Sequence, residues 1–151
     1  MPDIQQIHGT RGHKNAIKKP LVIFCHGYKG FKDWGTWNLM AQSFKDEHLF
    51  FVKFNFSHNG GTVKQPIDFP DLDAFAENNY TKELQDLDDL ITYLISNKND
   101  YLNEIDTNNI TVIGHSRGGG ISIIKAKEDS RIKKLITWAS VSSFGKRTST
   151  T

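Results

Sequence analysis

Residues 110–120 read Ile110-Thr111-Val112-Ile113-Gly114-His115-Ser116-Arg117-Gly118-Gly119-Gly120. Four apolar or β-branched residues run into a tight, glycine-flanked turn with Ser116 at its centre, and residues 121–126 read as the start of a helix. Gly114-His115-Ser116-Arg117-Gly118 matches G-x-S-x-G, the nucleophile elbow, in the strand–turn–helix setting that this pattern requires. The spacing has a steric reason. A serine held in a strained backbone conformation at a strand end points its Oγ clear of the sheet. Gly114 and Gly118, two residues before and after it, must be small or strand and helix collide.

Outward from this stretch, strands and helices alternate. Leu21-Val22-Ile23-Phe24-Cys25 is a continuous apolar run ending at His26-Gly27, which fits a strand covered on both faces. Residues 36–48 form a helical pattern with Trp37, Met40, Ala41 and Phe44 on one side. Residues 49–56 give a second, aromatic-rich strand. Residues 57–79 carry turn signals and no period, a connection long enough to be functional or mobile. A helix follows over 80–97 through Leu84, Leu87, Leu90, Ile91, Leu94 and Ile95, with Asp86, Asp88 and Asp89 expected to face water. After the elbow helix, which should end near Asp129, residues 135–139 form a fourth strong strand. A weak strand near 4–8 precedes all of these, and 13–19 reads as a loop. The alternation implies right-handed crossovers and a mainly parallel sheet in an α/β, three-layer sandwich. Ligands on such sheets sit beyond the carboxyl ends of the strands, where Gly27 and Ser116 fall.

The totals agree with a single unit. The chain has 151 residues, 19 Lys and Arg against 17 Asp and Glu, and a formal charge of +2. That is enough for one core and too little for two ordinary domains. Segments 1–19 and 142–151 are polar, and 20–141 carries the sheet and helices. The basic residues are scattered without a stripe, which argues against a nucleic-acid partner. No apolar run approaches the roughly 20 residues of a membrane span, and the single cysteine, Cys25, allows no intrachain disulfide. The expectation is a cytoplasmic protein without a membrane partner.

Ser116 needs a base and donors for a developing oxyanion. Elbow geometry offers the backbone N–H of Arg117 as one donor, and the loop after the first strong strand offers that of Tyr28, with Gly27 allowing the sharp turn. His26-Gly27-Tyr28-Lys29-Gly30-Phe31-Lys32-Asp33-Trp34 together with the elbow resembles the α/β-hydrolase family. The likeness is to bacterial esterases and peptidases of the dienelactone-hydrolase and serine-aminopeptidase type, and it covers about residues 20–145. The resemblance implies Ser116 as nucleophile and Tyr28 and Arg117 as oxyanion donors, with His26 holding the loop through its ring. It implies a small ester, thioester or amide substrate, an acyl-Ser116 intermediate, and neither metal nor cofactor.

The same resemblance places a catalytic acid and then a histidine after the nucleophile, yet no Asp, Glu or His follows Asp129. The domain is therefore expected to be incomplete, cut after the strand that follows the elbow helix. The part not represented would be on the order of 100 residues, from usual domain size. All six histidines precede or adjoin Ser116. His26 and His58 lie at carboxyl ends of strands where they could line the cleft, and His58 is the one to test as a base. Lys29, Lys32, Arg117 and Lys53 offer charge for an anionic acyl group, with surface charge the plainer reading. Asp68, Asp71 and Asp73 read as solvated carboxylates. Two alternatives stay open: a catalytically inactive fragment serving as a binding or assembly module, and self-association through an exposed sheet edge at 135–139, with a second copy supplying acid and base.

Overall fold

The computed structural model describes residues 7–8 and 17–144. Strands β1 (Ile7–His8), β2 (Lys19–Cys25), β3 (Phe50–Lys53), β4 (Ile105–His115) and β5 (Ile132–Trp138) alternate with helices α1 (Trp37–Asp46), α2 (Leu72–Ala76), α3 (Tyr80–Leu94) and α4 (Arg117–Glu128). The sheet order is β1-β3-β2-β4-β5. The β2–β3, β2–β4 and β4–β5 pairs are parallel, and the two-residue β1 lies antiparallel to β3.

β2 shows why the sheet has two covered faces. Leu21, Ile23 and Cys25 point into one apolar cluster with Leu87, Leu90 and Leu94 of α3 and Ile121 of α4. Val22 and Phe24 point the other way, against Ala41, Trp37, Met40 and Phe44 of α1. Because successive strand side chains alternate in direction, an unbroken apolar run needs helices on both sides. The result is the expected three-layer α/β arrangement.

The chain leaves β2 for β3 on one side and returns to β4 on the other. The carboxyl ends of β2 and β4 therefore flank a topological switch point, the usual place for a ligand crevice in such sheets. Gly27 follows one of these ends and Ser116 the other.

Four details depart from the sequence reading. The β3 ladder stops at Lys53 rather than running to Phe56, because backbone and side-chain groups just beyond it turn to the loop after β2. The Lys32 N–H donates to Asn55 Oδ1 at 2.7 Å, and the Phe56 N–H donates to His26 Nε2 at 3.3 Å. The long connection contains the short helix α2, capped by Asp71 accepting from the Ala74 N–H at 2.9 Å. Asp86 is buried rather than facing water, where it accepts from the Ser57 N–H at 2.8 Å. Lys32 and Lys53 are likewise buried and paired with Asp33, so neither is a surface charge.

The beginning of the weak strand expected near 4–8, the first part of the loop expected over 13–19, and the end of the polar tail from Gly145 lie outside the described residues. β5 pairs only with β4 among the described residues. Leu135, Ile136 and Trp138 on it are 38%, 43% and 37% exposed, so this edge of the sheet is open and apolar. No helix among the described residues is long and apolar enough to cross a membrane.

Candidate active site

Ser116 stands between β4 and α4 with φ 53° and ψ −117°. A non-glycine residue held there carries strain of about 1–3 kcal/mol, and its backbone bonds hold it in place. Its N–H donates to the Trp138 carbonyl at 2.9 Å, and its own carbonyl accepts from the N–H groups of Gly119 at 3.0 Å and Val141 at 3.1 Å. β5 and the segment after it thus fix the turn from outside. Among the described residues, no side chain hydrogen-bonds the Ser116 hydroxyl.

The flanking glycines are required by contact. A Cβ on Gly114 would fall 2.5 Å from the Gly118 carbonyl oxygen, and one on Gly118 would fall 2.3 Å from the His26 oxygen and 2.4 Å from the Cys25 oxygen. α4 therefore starts directly against the end of β2. Gly27 brings the loop equally close to the serine, since a Cβ there would lie 3.1 Å from Ser116 Cβ.

That loop is held on several sides. His26 donates from Nδ1 to the Gly27 carbonyl at 2.9 Å, and its Nε2 accepts the Phe56 N–H at 3.3 Å. The two bonds select the neutral Nδ1–H tautomer. Burial favours the same form, pushing the imidazole down from 6.5 to about 4. The Gly30 N–H donates to the Gly27 carbonyl at 3.0 Å, and Asn59 donates its side-chain amide to the Gly30 carbonyl at 3.3 Å. Further along, Asp33 takes the ammonium groups of Lys32 and Lys53, and Lys53 also reaches Asn38. Burial pushes the Asp33 carboxyl up, but the two lysines more than reverse this and hold it below the usual carboxylate range. Among the described residues, the backbone N–H groups of Tyr28 and Arg117 meet no acceptor.

The Arg117 side chain does a separate job. Its Nε donates to both Glu83 oxygens at 3.0 and 2.8 Å, and its guanidinium carbon lies 4.1 Å from the Tyr80 ring centroid. The start of α4 is thereby tied to the start of α3.

A cleft of about 290 Å³ opens at Ser116, walled by Gly27, Tyr28, Lys29, Gly30, Trp34, Trp37 and His115. His115, next to Ser116, turns onto Trp37 with ring centroids 5.4 Å apart. His58 is not part of this wall. Its Nδ1 lies 2.7 Å from Ser57 Oγ and its Nε2 lies 3.2 Å from Lys82 Nζ. The structure thus unites Ser116, Gly27 and Tyr28 at one cleft and leaves His58 on the side toward α3. Glu83 has no role in the sequence reading, and Trp34 and Trp37 appear there only in the loop motif and on the apolar face of a helix, not at the cleft. The Trp34–Trp37 spacing beside the glycine turn was the available signal for the cleft, and the Glu83–Leu87 spacing on the buried face of α3 for the ion pair.

A glycine-flanked serine at φ > 0 between a parallel strand and a helix, facing a loop at the adjacent strand end, defines the α/β-hydrolase architecture. The phospholipase/carboxylesterase family model matches residues 12–147, and the chain belongs to that family. No curated protein sequence matches it. Among solved structures, DcsB in complex with its substrate analogue is similar at 22% identity and a TM-score of 0.66, over 86% of this chain and 40% of that one. Dienelactone hydrolase from Anabaena variabilis is similar at 14% identity and a TM-score of 0.63, over 82% of this chain and 53% of that one. Est1E from Butyrivibrio proteoclasticus with ferulic acid bound is similar at 22% identity and a TM-score of 0.59, over 81% of this chain and 44% of that one. The chain spans about half or less of the length of these structures.

Proposed function

We propose that this chain carries the nucleophilic part of a serine hydrolase acting on small carboxylic esters, with thioesters and amides as the related acyl substrates. The observation that supports it most is Ser116 itself, strained at φ 53° and opening onto a cleft. In the proposed reaction, Ser116 Oγ attacks the substrate carbonyl carbon while a base takes the hydroxyl proton. The resulting oxyanion is held by the Tyr28 and Arg117 N–H groups, one such donor being typically worth about 3 kcal/mol. Collapse expels the alcohol, which leaves with the proton, and water then releases the acid from acyl-Ser116.

The base and its carboxylate partner are not supplied by the described residues around Ser116. We assign them to residues outside these, in a longer chain or in a second copy. His26 is committed at both nitrogens, and its role is to hold the loop. Cytoplasmic residence remains part of the proposal and rests on one buried thiol.

A fluorophosphonate serine probe tests the reading. The chain alone should label slowly, a longer chain bearing an acid and a histidine should label fast, and Ser116→Ala should abolish both. Labelling of the isolated chain that rises with protein concentration would favour a second copy at the open β5 edge. Fast labelling that needs His58 would overturn the assignment of the base, and labelling that survives Ser116→Ala would overturn the nucleophile.

A further inference from the structure

Four cations lie near the carboxyl edge of the sheet, and three are engaged. Lys32 and Lys53 are buried on Asp33, and Arg117 is fastened to Glu83. Lys29 is different. It is exposed, lines the cleft at Ser116 and has no carboxylate partner among the described residues. Its backbone is held at φ 57°, an uncommon conformation that costs a non-glycine residue energy. Its ammonium lies 5.8 Å from the Tyr28 ring centroid.

The rest of the wall is aromatic. Trp34 is 54% exposed and Tyr28 57%, although large rings ordinarily hide most of their area. Trp37 sits deeper, packed on Phe24 with centroids 4.7 Å apart. The Trp34 and Trp37 rings stand 6.0 Å apart at 47° to each other, forming a wedge of flat faces. At about 290 Å³, the cleft is at the small end of the range for organic ligands, roughly 300–1,000 Å³. It suits a compact ring system better than a long acyl chain.

We propose that this cleft takes a planar aromatic group bearing a carboxylate, with the ring against Trp34 and Trp37 and the anion at the Lys29 ammonium. An aryl group gains from ring-face and ring-edge geometry beyond the area it covers, and a cation at the rim without a carboxylate partner among the described residues selects the anionic partner. As a substrate class, esters whose aryl group keeps a free carboxylate beside the ester, this rests on the esterase reading. As a binding site it does not.

Binding is therefore measured in the Ser116→Ala protein, where no acylation can occur. The chain has three tryptophans, so a proton–nitrogen spectrum has three indole N–H signals; Trp34 and Trp37 line the cleft, whereas Trp138 lies behind it, its ring on Phe24. The probes are 2-naphthoate, its neutral amide 2-naphthamide, and the saturated acid decahydronaphthalene-2-carboxylate. Naphthoate should shift the Trp34 and Trp37 signals more than that of Trp138, and bind at least tenfold tighter than either analogue. Lys29→Met should erase the preference over the amide, and Trp34→Ala, at an exposed site, should weaken naphthoate at least fivefold. Equal binding of the saturated acid, an unaffected Lys29→Met, shifts at Trp138 alone, or no saturation at millimolar naphthoate would each overturn the proposal. Binding as described with a Ser116 that never acylates in the unsubstituted chain would remove the esterase reading and leave the site. Acylation without ring preference would do the reverse.

Discussion

Replacing Gly118 by alanine sets two known effects against each other. In a helix, Gly→Ala is favourable by up to about 1 kcal/mol. Here the new methyl would meet two backbone carbonyl oxygens, at 2.3 Å from His26 and 2.4 Å from Cys25. Relief requires the first turn of α4 to retreat from β2 by about 1 Å, judged against ordinary contact distances. That retreat is resisted by the four backbone bonds on Ser116, the fourth from the Gly120 N–H at 3.3 Å, and by the Ser122 hydroxyl donating to the Gly118 carbonyl at 2.7 Å. Overpacking costs typically about 1–3 kcal/mol, and two immovable backbone partners put this case at the top of that range. Net of propensity, Gly118→Ala should lose about 2 kcal/mol, a fall in Tm of about 4–8 °C for a chain of this size. Gly120→Ala is the matched control. Its methyl would meet the Phe144 ring tip at 2.3 Å and a Val141 methyl at 2.6 Å, both on side chains able to swing, so it should stay within about 1 kcal/mol of the parent. Urea unfolding followed by circular dichroism reads both. A Gly118→Ala protein as stable as Gly120→Ala would refute the close approach of α4 to β2.

Three further outcomes are expected. Glu83→Gln leaves the Arg117 guanidinium without its buried partner and should cost about 3 kcal/mol; Arg117→Met in the same protein should restore at least 1 kcal/mol of that loss, and strict additivity in the double-mutant cycle would argue against a direct pair. His26 stays neutral in the folded protein down to about 4, whereas the unfolded chain takes up its proton near 6.5; acidification through that window should therefore remove about 3 kcal/mol, a pH slope that His26→Gln should lack in unfolding titrations. Burial pushes the Cys25 thiol up to about 12, so a disulfide reagent at pH 8 should leave it untouched until urea is added; stability should fall as pH rises above 9, because only the unfolded thiol gives up its proton.

Much of the frame was legible because it depends on local patterns. The 21–25 run, the leucine and isoleucine spacing of α3 and the glycines around Ser116 each state a steric or burial requirement within a few residues. What escaped depends on distant partners. Asp86 reads as a solvent-facing acid, yet it lies beside Leu87 on the buried side of α3 and meets the Ser57 N–H from another segment. Lys53 reads as a surface charge until Asp33 and Asn38, from the loop and helix before it, close around its ammonium. The five residues of α2 are too few to show a period. At the site, the serine and the glycine turn were readable, while the aromatic wall left only the Trp34–Trp37 spacing as a signal and takes shape when β2 and β4 lie side by side.

The two bonds of His26 have a mechanical consequence. One ties the ring to its own turn and the other to the Phe56 amide beyond β3, so two segments 30 positions apart share a single buried clasp. Neither can peel away alone without stranding a polar ring nitrogen in the core. In amide hydrogen exchange, Phe56 and Gly30 should accordingly lose protection in one cooperative opening rather than by separate fraying.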